Sequence, residues 1–469
     1  MSLPVERPGP GRPGRSPASG TKGSRVELLA MRGLAVAGLA MMVLMILPRA
    51  AAGAEASGAG PVRVEIRKDG GGFRLYRGGS PYYVKGAVYF GDPTGRFPLK
   101  DIAERGGNSV RCGGDVRRIL DEAQRQGMTV TIGLPMKMES VHKFDYSDDR
   151  AVREQFEQVK KKVLELKDHP AVLLWGIGNE LSEGYKNKKV WDAVNDVARL
   201  IHEVDGNHPA MTVIGDGSIR AGDIQEIRRR CPDLDLVGIN YYKDIETVPA
   251  KIRENGWEKP YVVTEWGPSG DWQVPRTAWR ASIEETSTQK AERYIERYQN
   301  TMLKDAQRCL GSYVFIWESR RERTHTWYGM FLESGERTEA VGAMQYLWSG
   351  RWPANRAPRV EDLRLDGQAA GDSATLKPGG SHTAAVKVQD PDGDPVTFRW
   401  EVMAEVARAG YAGMGERHGK PLAGLIKEVR GGEIALAAPE QEGAYRLFVF
   451  VFDGHGNAAT ANIPFFVKP

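Results

Sequence analysis

The sequence predicts an α/β protein, a (β/α)8 TIM barrel followed by a small all-β immunoglobulin-like sandwich. Three observations carry this. Short β-rich runs alternate with helix-length amphipathic stretches from about Tyr82 onward, eight such runs can be counted, and the composition changes abruptly after Trp352-Pro353. A length of 469 residues accommodates one barrel of roughly 250 residues and a smaller domain. The expected organisation is a leader over 1–54, a barrel over 55–352 and a sandwich over 353–469.

The leader is a basic stretch, then an apolar run from Leu34 to Leu47, then Ala52-Gly53-Ala54. That is the layout of a signal peptide cut after Ala54, and the run is short of the ~20 residues that cross a bilayer comfortably. Export to the periplasm, cell surface or medium is expected, with no stable membrane span after cleavage; a retained anchor is the alternative. Met31-Arg32 and the apolar run already form a complete leader, so Met31 is a second candidate start. Residues 1–54 hold seven Lys/Arg against two Asp/Glu, a balance of +5 where the whole chain has +4. The remainder is near neutral, without the basic signature of a nucleic-acid or anionic-membrane binder. Cys112, Cys231 and Cys309 are too few for a disulfide scaffold and lack zinc-site spacing, though one disulfide is compatible with them.

The expected strands are Tyr82–Tyr89, Ser109–Cys112, Thr129–Leu134, Val172–Gly178, Met211–Gly215, Leu236–Tyr241, Tyr261–Thr264 and Tyr313–Trp317. Each is rich in Val, Ile, Leu or aromatics, as strands buried on both faces are. Between them, Val152, Phe156, Val159, Val163 and Leu166 recur at three- and four-residue steps, and Trp191–Val204 repeats the helical period. A doubly wound open sheet is disfavoured because Gly86-Ala87-Val88-Tyr89 runs on where a Gly-rich phosphate turn would follow the first strand. Beyond Pro353, alternating segments such as Thr383–Val388, Val396–Val402 and Tyr445–Phe452 predict the sandwich. Asp390-Pro391-Asp392-Gly393-Asp394 reads first as a hairpin turn and second as a calcium loop. This stretch resembles the cadherin-like and polycystic-kidney-type modules.

In a (β/α)8 barrel the reactive groups project from the carboxyl ends of strands. Glu180 follows the fourth expected strand in Gly178-Asn179-Glu180, and Glu265 ends the seventh in Thr264-Glu265-Trp266-Gly267. Two carboxylates on one rim can flank a glycosidic bond, one protonating the leaving oxygen while the other attacks the anomeric carbon. Alone, either glutamate would more often be a surface charge; together at these two strand ends they form a catalytic pair.

These motifs resemble glycoside hydrolase clan A, and within it the catalytic barrel of family two, the β-galactosidase, β-glucuronidase and β-mannosidase type. The match runs through Gly107-Asn108-Ser109-Val110-Arg111, His169-Pro170-Ala171-Val172 with Gly178-Asn179-Glu180, Val237-Gly238-Ile239-Asn240-Tyr241-Tyr242, and Lys259-Pro260 with Thr264-Glu265-Trp266-Gly267. The resemblance implies a retaining hydrolase of a β-linked glycan, with Glu180 as acid/base and Glu265 as nucleophile. It implies further that Asn179 binds the sugar 2-hydroxyl and that Arg111 and Tyr242 keep the nucleophile ionised; the plainer roles are a structural ion pair for Arg111 and core packing for Tyr242. Trp317 is expected as a stacking floor for a sugar, widened by Trp266 and Trp327, with core burial the competing role for each.

The chain departs from that family in having little before the barrel and in Cys112-Gly113-Gly114 after Arg111, so sugar identity does not carry over. The segment Glu318 to Met330 also looks somewhat like the fungal β-1,3-glucanosyltransferases, which keeps transfer to sugar open. A catalytically inactive glycan-binding scaffold and a metal-dependent hydrolase are the other classes. The first is disfavoured because both glutamates are present, and the second because the eight histidines show no ligand spacing. No metal or organic cofactor is expected.

Overall fold

The computed structural model describes residues 60–407 and 409–469, with the side chains of residues 218, 220, 221 and 412 left undescribed. The expected leader, its cleavage after Ala54 and the alternative start at Met31 lie outside the described residues. Among the described residues no helix is long and apolar enough to cross a membrane.

A three-stranded antiparallel sheet comes first, formed by β1 (Val64–Asp69), β2 (Gly72–Arg77) and β3 (Ser80–Tyr82). The sequence reading had no elements here. Its anchors lie on the segments that lead into barrel strands: Val64 N–H donates to the Asn207 carbonyl at 2.8 Å and Phe73 N–H to that of Gln307 at 2.6 Å. The sheet therefore packs under the amino ends of the strands, with Leu75 and Val64 buried.

Eight parallel strands close the barrel: β4 (Val84–Val88), β5 (Ser109–Cys112), β6 (Thr129–Leu134), β7 (Val172–Ile177), β8 (Ala210–Ile214), β9 (Leu236–Asn240), β10 (Tyr261–Trp266) and β11 (Cys309–Val314). Their order around the barrel is the chain order, and β11 pairs with β4 to complete it. The eighth strand starts four residues earlier than expected. Gly311 sits mid-strand at φ 121, and a Cβ there would stand 2.1 Å from the Val84 carbonyl oxygen. A glycine that reads as punctuation is thus the residue that lets the closing strand approach.

The intervening helices follow their apolar periods. Asp148 caps the helix Asp149–Leu166 through bonds from the Arg150 and Ala151 amides, and that helix buries Val159, Val163 and Leu166, with Val152 and Phe156 half-buried. A capping box of Thr286 and Gln289 starts the helix Ser287–Arg297. The three cysteines are buried and unpaired.

The rest forms two four-stranded sheets around one core. One has β12 (Arg359–Leu365), β14 (Ser381–Gln389), β17 (Glu433–Ala437) and β16 (Ile426–Arg430). The other has β13 (Thr375–Leu376), β19 (Ala458–Val467), β18 (Gly443–Phe452) and β15 (Thr397–Ala404), with β13 joining in parallel. The Asp390–Asp394 segment is a turn: Asp390 Oδ1 accepts from the amides of Asp392 at 2.9 Å and Asp394 at 3.0 Å. The three aspartates also bring carboxylate oxygens within 4.8 Å of one another.

The sandwich is bonded to the barrel. Val360 N–H donates to Thr288 Oγ1 at 2.8 Å and Thr460 N–H to Ser287 Oγ at 2.9 Å. Buried Arg446 holds Glu405 through two bonds and reaches the Ser282 carbonyl at 2.8 Å. This docking places the β15–β16 connection over the barrel's upper rim, beside the carboxyl ends of the strands.

Candidate active site

Glu265 is the penultimate residue of β10, where the pairing with β9 slips so that Glu265 lies opposite Asn240. Its neighbours in sequence are turned elsewhere: Thr264 is fully buried and donates to Asn240 Oδ1 at 2.8 Å, and Trp266 points outward to the helices. The Glu265 carboxylate accepts from Arg111 Nη1 at 2.8 Å and from the Tyr242 hydroxyl at 3.1 Å. Both members of the Arg111–Glu265 pair are largely buried, with 11% and 15% of their side chains exposed. A guanidinium and a phenol thus donate to one carboxylate.

Glu180 stands just beyond β7 on a backbone held at φ 49, a left-handed conformation that costs a non-glycine residue energy. Gly178 before it is also left-handed, and the Glu180 amide donates to the Val213 carbonyl of β8 at 2.9 Å. This turn throws the carboxyl over the barrel mouth against Gly215, where an added Cβ would lie 3.1 Å from Glu180 Oε1. Asn240 Nδ2 donates to Oε1 at 2.9 Å and the Tyr411 hydroxyl to Oε2 at 2.5 Å. Burial, followed by the charge of Glu265, pushes the Glu180 carboxyl up to about 7. The two carboxyls are thus made unlike by their surroundings, one ion-paired and the other desolvated.

Asn179 joins them. Its Oδ1 accepts from Arg111 Nη2 at 2.6 Å and Asn240 Nδ2 at 3.2 Å, and its Nδ2 donates to the Tyr411 hydroxyl at 3.1 Å. Around this network lie two cavities, each including Glu265 and Tyr411 in its wall. One of about 390 Å³ also has Glu180, Tyr242, Trp272, Phe315 and Tyr328. The other, of about 380 Å³, has Arg111, Asn179, Phe90, Met136 and Met138.

The structure therefore brings Glu180, Glu265, Arg111, Asn179 and Tyr242 to one site. It does not bring Trp266 or Trp317 there. Trp266 is 0% exposed and packs on Tyr294 and Tyr298 at 5.5 and 5.8 Å between ring centres. Trp317 is equally buried, stacked on Trp348 at 5.7 Å, and Trp327 is a core residue whose indole donates to the Ser269 carbonyl at 3.0 Å. The expected stacking roles of these three are corrected to packing: along β10, the residue after the inward Glu265 faces the helices.

The aromatic wall is made instead by Trp272, 40% exposed, and by Tyr242, whose ring meets Trp272, Phe315 and Tyr328 edge-on. Trp272 lies in the loop after β10, a place where loop residues serve sites, and that was the available signal. Asn240 lies within the Val237–Tyr242 motif at the end of β9 and could have been included on that ground. Nothing in the sequence pointed to Tyr411, which arrives from the sandwich.

Residues 118–317 match the family described as glycosyl hydrolases family 2, TIM barrel domain. A stretch of 199 residues is 26% identical to the beta-galactosidase BoGH2A of Bacteroides ovatus, covering 36% of this chain and 22% of that protein. Among solved structures, the chain is similar to a calcium-binding mutant of Bacteroides uniformis beta-glucuronidase 2, at 14% identity and a TM-score of 0.48 over 87% of this chain and 48% of that one. It is also similar to an endo-1,4-beta-mannanase from Eisenia fetida, at 11% identity and a TM-score of 0.42 over 61% of this chain and 96% of that one. The chain spans about a fifth of the length of the curated relative it matches.

Proposed function

We propose that this chain is an exported, retaining glycoside hydrolase of β-linked glycans, with Glu265 as nucleophile and Glu180 as acid/base. The observation that carries this reading is the opposite treatment of two carboxyls at one barrel mouth. Arg111 and Tyr242 donate to Glu265, while burial and the charge of Glu265 push Glu180 up to about 7. A general acid must hold its proton in the resting site, and the raised Glu180 carboxyl does so up to neutral pH, while Glu265 carries the ion pair with Arg111.

In the first step Glu265 attacks the anomeric carbon, the glycosidic C–O bond breaks, and Glu180 gives its proton to the departing oxygen. The glycosyl ester on Glu265 is then cleaved by water that Glu180, now ionised, deprotonates. In this reading Asn179 binds the sugar 2-hydroxyl and Trp272 stacks on the C–H face of a ring. The β linkage is supported by the names of the relatives, which are β-glycosidases, and export by the leader layout of residues 1–54.

The test is a screen of the protein against β-linked glycans and aryl β-glycosides with products resolved by mass, using Glu265→Ala as control. The expected result is turnover abolished in that variant and partly restored by azide as a glycosyl azide of inverted anomeric configuration. Untouched activity in Glu265→Ala overturns the nucleophile assignment. Chain lengthening in place of hydrolysis moves the reading to transglycosylation, and glycan binding without turnover to an inactive scaffold.

A further inference from the structure

The β15–β16 connection of the sandwich enters the barrel mouth. Its short helical turn Tyr411–Gly413 lies between the catalytic strand ends, and Gly413 abuts Glu322. The connection is pinned by Glu416, whose buried carboxylate accepts from the Arg323 amide at 2.7 Å and from Arg323 Nη1 at 3.2 Å. From that anchor the Tyr411 ring packs against the barrel core and its hydroxyl meets both Glu180 and Asn179.

We propose that Tyr411 is a positioning residue for the general acid/base, so that the sandwich completes the catalytic centre and is not an appended module. This rests on the glycosidase reading of Glu180. A carboxyl swings about its Cβ–Cγ and Cγ–Cδ bonds, and acid catalysis needs its proton held within about 0.5 Å of the productive place. Asn240 fixes one oxygen from the barrel, and Tyr411 fixes the other from outside it. A carboxylate offers about four acceptor positions, so two fixed bonds leave room for the leaving oxygen. The phenol keeps its proton, because burial and then the charges of Glu180 and Glu265 hold it well above the usual tyrosine range. It therefore remains a donor, and donation to the ionised form pulls Glu180 down against burial.

Tyr411, like Glu265, lines both cavities.

The experiment compares wild type with Tyr411→Phe, which keeps the packed ring and removes only the hydroxyl. The first readout needs no substrate: titration of the Glu180 carboxyl by carbon-13 NMR, assigned with Glu180→Gln. Glu265, Glu183, Arg111, Tyr242, Asp216 and Glu322 also surround this carboxyl and are unchanged in the variant, so an upward shift of its midpoint reports the lost donor. The second readout is kcat/KM on the dinitrophenyl and alkyl glycosides of the sugar found in the screen. A dinitrophenolate leaves without a proton and an alkoxide does not, so the alkyl substrate is expected to lose at least about ten times more than the aryl one, within the range that general acid catalysis supplies.

A merely structural role lowers both substrates equally and leaves the midpoint in place, and that result overturns the proposal. A midpoint shift in a protein without glycosidase activity would keep the contact and overturn the glycosidase reading. Activity in wild type with neither readout altered would keep that reading and overturn the role of Tyr411.

Discussion

Glu180 is the residue whose position demands most of the fold, combining a left-handed backbone, a buried carboxyl and a nearby carboxylate. Its folded value of about 7 stands above its ordinary 4.5, so the group binds its proton more tightly when folded. The stability this contributes is complete below pH 4.5 and is lost as pH rises through about 7. Glu180→Gln is therefore expected to melt higher than wild type, by a margin that widens between pH 5 and 8; a margin independent of pH would show that the carboxyl is not buried in this way. The same ionisation predicts an alkaline limb in kcat/KM near pH 7, falling about tenfold per pH unit beyond it. At this scale the sequence revealed the pair and the three residues of their network that sit on strand ends. It misplaced Trp266 because a motif preserves order along the chain and is blind to which face of a strand a residue takes, and Trp317 because the ladder of β11 ends at Val314, before the expected strand end.

Elements were legible where both ends of a strand coincide with a change of composition. β5 and β6 match their expected bounds, because Asn108 and Gly113 bracket the first and Gly127 and Pro135 the second. β11 does not, because the glycine inside it reads as a break and the aromatic run Tyr313–Trp317 extends past the ladder. Gly311→Ala tests this account. An alanine there must adopt φ 121 and place its Cβ against the Val84 backbone, two penalties that together cost about 3 kcal/mol or more. The expected outcome is a large fall in melting temperature with the loss of activity tracking unfolding. A variant that melts like wild type would show that β11 and β4 do not close the barrel at Gly311. The N-terminal sheet escaped notice for a related reason: its strands are short and half-exposed, and the glycine runs Gly70-Gly71-Gly72 and Gly78-Gly79 make the whole stretch resemble a linker.

At the scale of the molecule, the sandwich was legible as a separate composition but its relation to the barrel was not, since docking depends on residues far apart in the chain. Glu284 is the centre of that joint. It accepts from Lys290 at 2.5 Å and from Thr326 at 2.9 Å on one oxygen, and from Thr324 and the sandwich residue Asn462, each at 2.7 Å, on the other. Burial raises its proton affinity, but Lys290, Arg446 and these donors outweigh it and hold the carboxyl below its ordinary value. Its contribution to stability is therefore present above pH 4.5 and lost as pH falls through the lower folded value. Glu284→Ala leaves the Lys290 ammonium, 8% exposed, bonded to the Thr326 carbonyl but without its anionic partner, a loss that in buried pairs costs about 3–5 kcal/mol. Because the same joint carries the connection that holds Tyr411 on Glu180, the variant is expected to lose catalytic rate at temperatures where the barrel is still folded. Calorimetry of wild type should show one transition and of Glu284→Ala two, with activity lost in the earlier. Activity that persists until the barrel itself melts would mean that the barrel holds its acid/base without help from the sandwich.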